Sequence, residues 1–109
     1  MAEAKIKLGL VANIYSRMMH FEKAGDIELG HTHQFDHLTL LACGSLKVTV
    51  EEKETEFKAP HMIYIHKDKK HELVALEDNT VAYCIHALRD QNTGEIIDPD
   101  MIPDGVEQP

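Results

Sequence analysis

An all-β chain folded as a small antiparallel sandwich or barrel is what these 109 residues predict. Three observations carry that expectation. Short apolar or β-branched runs recur along the chain, turn signals separate them closely, and no segment calls for a helix of three turns. About eight strands in ~90 residues, joined by tight connections, suit an antiparallel sandwich or barrel.

Each element follows from its own residues. Upstream, Ile6 to Ile14, Arg17 to Glu22 and Asp26 to Gly30 are three strand-sized segments. The run from His37 to Cys43 stops at Gly44-Ser45, and Leu46 to Glu51 resumes with Leu46, Val48 and Val50 alternating against Lys47, Thr49 and Glu51. That pair reads as a hairpin with one face buried. Further strands are predicted at Thr55 to Lys58, Met62 to Ile65, Glu72 to Leu76 and Thr80 to Leu88, and the acidic run Glu51, Glu52, Glu54 and Glu56 reads as a solvated hairpin tip. Between Arg89 and Pro109, Asp98-Pro99 and Ile102-Pro103-Asp104-Gly105 break any ladder, so this stretch is expected as an irregular C-terminal arm whose Ile96, Ile97, Met101, Ile102 and Val106 can pack outside.

Composition sets outer bounds. The length allows one domain, residues 1–109, and 43% hydrophobic with 28% charged residues is the balance of an ordinary globular chain. Eleven Lys+Arg against 19 Asp+Glu give a formal charge of −8, which repels a phosphate backbone; the basic run Lys67, Lys69 and Lys70 is short and broken by Asp68. No nucleic-acid partner is expected. Neither a signal peptide nor a membrane span is legible. Cys43 and Cys84 lie in apolar stretches and read as buried thiols of a reducing compartment, the cytoplasm by default. Cys43 shares the strand parity of His37, Thr39 and Leu41, so it is expected to face inward; Phe35, Phe57 and Tyr64 are expected in the core or on a pocket wall, and Met18-Met19 in the core or an interface.

Histidine is the unusual residue. Six of eight fall between His31 and His71, and imidazole is the commonest protein ligand for metals. The segment from Gly25 to Gly44 reads G-x5-H-x-H-x3-H-x6-G. On a strand His31 and His33 point the same way with Cα atoms about 6.6 Å apart, close enough for tilted rings to share an ion. A turn through Gln34-Phe35-Asp36 returns His37 at the head of the next strand. A fourth ligand must come from elsewhere: His71 opens a strand after a polar loop, with His66 as its competitor. His20, His61 and His86 read as surface or satisfied core residues, although His86 or Tyr83 can face the lumen depending on register. Glu28, Asp36 and Glu72 flank the histidines, but none has a fixed place as a general base, and parity turns Glu28 away or leaves it ambiguous.

This pattern resembles the cupin superfamily, whose first motif is G-x5-H-x-H-x3,4-E-x6-G. His37 stands where the family usually has glutamate, so the ligand set resembles the four-histidine subgroup of small single-domain cupins: His31, His33, His37 and His71. The second motif, G-x5-P-x-G-x2-H-x3-N, keeps only its histidine at His71; His66, Asp68 and Ala75 occupy its proline, glycine and asparagine positions. The resemblance covers residues 17 to 88 roughly. It implies a jelly-roll barrel around a divalent Mn, Fe, Ni or Zn ion, and a homodimer formed by strand exchange or sheet packing.

Four neutral imidazoles leave the ion's charge uncompensated, favouring an anionic bidentate ligand or hydroxide. A six-coordinate metal keeps two open positions, whereas tetrahedral zinc is closed by the same four. Three function classes stay open. The leading one is a metal-dependent enzyme acting on a small oxygen-rich molecule, with dioxygenase-type chemistry foremost. The others are a non-oxidative isomerase or lyase, and a non-catalytic metal- or ligand-binding module. The fold alone does not choose among them.

Overall fold

The computed structural model describes residues 2–28, 37–66 and 69–97. Among them the chain forms nine strands: β1 (Lys5–Val11), β2 (Ile14–Phe21), β3 (Ile27–Glu28), β4 (His37–Cys43), β5 (Ser45–Val50), β6 (Lys53–Lys58), β7 (His61–Ile65), β8 (His71–Ala75) and β9 (Thr80–Ala87). They build a five-stranded sheet in the order β1-β2-β9-β4-β7 and a four-stranded sheet in the order β3-β8-β5-β6, with every named strand pair antiparallel. The predicted all-β antiparallel architecture is the observed one. No helix among the described residues is long and apolar enough to cross a membrane.

The two sheets close on a shared apolar interior, because alternate residues of each strand carry the hydrophobic side chains. Met19 and Phe21 of β2, Leu41 of β4, Leu46 and Val48 of β5, Ile63 and Ile65 of β7, Leu73 and Ala75 of β8, and Ala82 and Cys84 of β9 form one buried cluster. Tyr15 and Leu88 form a second at one end, with Leu8, Leu10 and Ile96 packed on it. Ile96 therefore packs against the body as expected of the C-terminal arm, which begins with an Arg89–Ile96 bridge. Asn13 ties that arm down: its amide donates to Arg89 O at 3.0 Å and accepts from Arg89 N at 2.6 Å.

Three expectations need correction. First, β4 and β5 are not a hairpin. Both edges of β4 are taken, by β9 and β7, and β5 belongs to the other sheet. The Gly44 joint is a sheet-to-sheet crossing, made by a left-handed glycine (φ +84) with no room for a side chain over Thr80. The true hairpin is β5–β6, turned by Glu51 and Glu52 at φ +46 and +72, the left-handed pair of a two-residue hairpin loop. Second, the segment Ile6 to Ile14 is two strands, divided at Ala12-Asn13 where Ala12 adopts φ +51. Third, Cys43 is exposed rather than inward-facing. A bulge between Leu41 and Cys43 shifts the β4–β9 register and reverses the parity past it.

Candidate metal centre

The strand registers stack inward-facing residues in layers. On the four-stranded sheet, His71, Leu73 and Ala75 of β8 are all buried, so His71 occupies the outermost inward position of its strand, registered with Val50. Leu73, the next inward position, is registered with Val48 on one side and Glu28 on the other. On the five-stranded sheet, Arg17, Cys84, Thr39 and Ile63 lie in one register row across β2, β9, β4 and β7. His37 begins β4, opposite Ile65 and two residues before Thr39.

His71 is 6% exposed, and its Nδ1 lies 3.3 Å from Lys69 O. A carbonyl only accepts, so Nδ1 carries a proton, and in the neutral ring Nε2 is then the nitrogen that offers a lone pair to a metal. His66 is exposed and meets Tyr64 edge-on at 4.7 Å. Of the predicted ligands, His31 and His33 lie outside the described residues, as does the turn through Gln34-Phe35-Asp36, and His37 is placed by its backbone only. No three His, Cys, Asp or Glu side chains converge on a metal-sized space among the described residues.

The remaining histidines have ordinary surroundings. His20 Nε2 lies 3.1 Å from Asn79 Oδ1, His61 tilts against Phe57 at 4.9 Å, and His86 stacks on the buried Tyr15 ring at 4.5 Å. Glu72 sits beside Thr49 in the outward-facing row of β8.

No protein-family model matches this chain, and no curated protein does. Solved structures do. A cupin 2 domain-containing protein from Halorhodospira halophila superposes with a TM-score of 0.68 at 17% identity, over 90% of this chain and 72% of that one. KdgF from a Halomonas species gives 0.67 at 17% identity over 80% of each chain. An RmlC-like cupin with a double-stranded β-helix fold, from Methanocaldococcus jannaschii, gives 0.64 at 11% identity over 77% and 81%. The chain has the cupin fold.

Inside this cupin barrel lies a polar arrangement that the sequence did not announce. Arg17 shares the parity of Tyr15, Met19 and Phe21 on β2, and Glu28 shares the row of the buried Leu73, so both point inward from opposite sheets. Their side chains, 18% and 13% exposed, meet with Nη1–Oε1 at 2.7 Å. Parity by itself turns Glu28 away or leaves it ambiguous, and the register settles it: Glu28 is opposite the inward Leu73, and Arg17 pairs with it from across the barrel. The available signal was the alternation Tyr15, Arg17, Met19, Phe21, hidden when the segment is cut before Arg17. Next to Arg17 in the row, the Cys84 thiol lies 3.6 Å from Thr39 Oγ1 in the buried interior. Burial pushes the Cys84 thiol above its ordinary range, with Thr39 and Arg17 pulling the other way.

Of the four predicted donors the described residues place one side chain, His71, and an imidazole is by its chemistry a ligand for a divalent metal. A buried imidazole whose Nδ1–H is held by a backbone carbonyl is the form such a site needs, and among the described residues the next inward layer is apolar but for Arg17, Glu28, Thr39 and Cys84.

Proposed function

We propose that this chain is a metal-dependent cupin enzyme acting on a small oxygen-rich molecule, with His31, His33, His37 and His71 holding a divalent Mn, Fe, Ni or Zn ion and dioxygenase-type chemistry as the leading reaction. The observation that carries the reading is His71: a buried histidine at the outermost inward position of β8, its Nδ1–H engaged by Lys69 O. The spacing G-x5-H-x-H-x3-H-x6-G and the cupin fold support it. When bound, the metal supplies Lewis acidity and, if six-coordinate, two positions for ligand oxygens. The chain's own residues exclude water through the packed layers of Leu41, Ile63, Ile65, Leu73 and Ala82 below the mouth. A reducing, cytoplasmic setting belongs to the same reading; the two cysteines are free thiols.

Elemental analysis by plasma mass spectrometry of protein purified without chelator, with dioxygen uptake on a panel of diketones, phenols and hydroxy acids, tests the reading. Stoichiometric Fe or Mn with uptake on one compound is the expected result. Stoichiometric Zn without uptake replaces dioxygenase chemistry with a non-oxidative isomerase or lyase or a binding protein, and no metal overturns the site.

The reading includes a homodimer docked through the outer face of the five-stranded sheet. Leu38, Leu40, Met62, Tyr64, Tyr83, Ile85 and Met18 occupy the outward positions of four adjacent strands, with Met62 65% and Tyr64 56% exposed.

A further inference from the structure

Arg17 and Glu28 form an ion pair in an interior whose other described residues are mostly apolar, and stability alone does not explain it. Replacing a buried ion pair by apolar residues of similar volume is often neutral or stabilising, so a charged pair at such a place is weak evidence for a structural role. Its position is more telling. Glu28 is level with Leu73, one inward position deeper on the four-stranded sheet than His71, and Arg17 is level with Thr39, two residues deeper on β4 than His37. Two residues of strand span about 6.8 Å. The Arg17 and Glu28 backbones therefore lie one layer in from His37 and His71, and their ion pair joins the two sheets there.

A guanidinium presents five N–H donors in a planar fork that matches a carboxylate with two parallel bonds. Glu28 meets this fork at Nη1, 2.7 Å away, and one carboxylate engages at most two of the five donors. We propose that Arg17 is the anion receptor of this barrel, binding the carboxylate of a small hydroxy or keto acid whose other oxygens reach the mouth, with Glu28 as the positioning residue that aims the guanidinium. This rests on the reading of the mouth as a metal centre and narrows its ligand from an oxygen-rich molecule to an oxygen-rich acid. Arg17 is also the inward cation of β2, whereas Lys5 and Lys7 of the neighbouring β1 are exposed.

The chain has two arginines, Arg17 and Arg89, so a ¹H–¹⁵N spectrum of the Nε–Hε groups holds two signals, assigned with Arg89→Lys. Titration of tartrate, and of threitol as its uncharged counterpart, into metal-free and metal-loaded protein is followed by that spectrum and by calorimetry, with metal content measured on the same samples. Tartrate is expected to shift the Arg17 signal and threitol to leave it in place. Arg17→Gln and Arg17→Lys are expected to weaken tartrate at least tenfold with metal content unchanged. Glu28→Gln breaks the same ion pair but keeps an oxygen that accepts from Nη1, so it is expected to weaken tartrate less than Arg17→Gln does, which a purely structural tie between the sheets does not predict. The proposal is overturned if tartrate leaves the Arg17 signal unmoved, if Arg17→Gln binds it like the unaltered chain, or if Arg17→Gln and Glu28→Gln lose it equally. An Arg17 response in protein that takes up no metal keeps the receptor and removes the metal centre; stoichiometric metal with Arg17-independent binding does the reverse.

Discussion

Gly44 lies against Thr80 so closely that a Cβ added to it would overlap the Thr80 hydroxyl and stand 2.8 Å from Thr80 Cα. Thr80 is fully buried and its Oγ1 donates to Glu77 O at 2.9 Å, so it has no direction in which to yield. The contact sits where the chain leaves one sheet for the other, between β4 and β5. Close approach and a left-handed backbone are both required there.

Gly44→Ala is therefore expected to cost about 3 kcal/mol or more, the sum of left-handed strain and a clash with backbone. Gly25, at φ +93 with open space around its missing Cβ, supplies a contrast. Gly25→Ala is expected to cost only about 1 kcal/mol, from backbone strain alone. Urea unfolding followed by circular dichroism ranks the two; equal losses would show that the Thr80 contact is not what Gly44 serves.

The metal assignment makes its own demand on neighbouring histidines. His71→Ala is expected to lower metal occupancy tenfold or more while the β spectrum persists, and His66→Ala to leave occupancy unchanged, because His71 is buried inward and His66 is exposed on Tyr64. His33→Ala is expected to behave as His71→Ala does. Loss of metal in His66→Ala with retention in His71→Ala would move the fourth ligand by one loop.

What could be read from the sequence divides along a physical line. Alternation of apolar residues is local and strong, so β5, β7 and β9 and the buried face of Leu46 and Val48 are legible, as is the opening of a strand at His71. Tyr64, expected in the core or on a pocket wall, is instead 56% exposed. Pairing is not local. Gly44-Ser45 looks the same whether the next strand folds back beside β4 or crosses to the other sheet, and only the occupation of both β4 edges decides it. A one-residue bulge reverses parity, so Cys43 leaves the buried face that Thr39 and Leu41, before the bulge, share. The Arg17–Glu28 pair joins two sheets, and no spacing within either strand foretells a partner across the barrel.

Two thiols in different surroundings give a pH-dependent prediction. Cys84 is buried and its pKa is raised, chiefly by desolvation; Cys43 is exposed. In the unfolded chain the Cys84 thiol ionises near its ordinary value, about 8.5. Above that pH the folded chain still holds the proton and the unfolded chain does not, so the contribution is complete below about pH 8 and is lost as pH rises toward the folded pKa, at up to about 1.4 kcal/mol per pH unit. Urea midpoints of the unaltered chain should therefore fall more steeply between pH 8 and 10 than those of Cys84→Ala, whose constant packing loss leaves the slope untouched. A disulfide-exchange reagent should react quickly with one thiol and slowly with the other. Equal slopes, or two fast thiols, would mean that Cys84 is not sequestered in solution.

The outer face of the five-stranded sheet sets the last expectation. Four strands at about 4.8 Å spacing and roughly seven residues long present a face of about 20 by 24 Å, which as corrugated accessible surface is of the order of the ~800 Å² per partner that a stable interface buries. A second copy meets this demand with the same residues, as a two-fold interface requires. Light scattering is expected to give twice the chain mass of 12.3 kDa. Tyr64→Glu, placing a charge at an exposed position on that face, is expected to shift the equilibrium to monomer with little change in unfolding midpoint, since Tyr64 adds nothing to the core. A chain truncated after Ile97 separates the other occupant. If the unaltered chain is a monomer and only the truncated one dimerises, the face is covered by the chain's own C-terminal residues; a monomer in both would leave the face without a second copy and remove the homodimer from the reading.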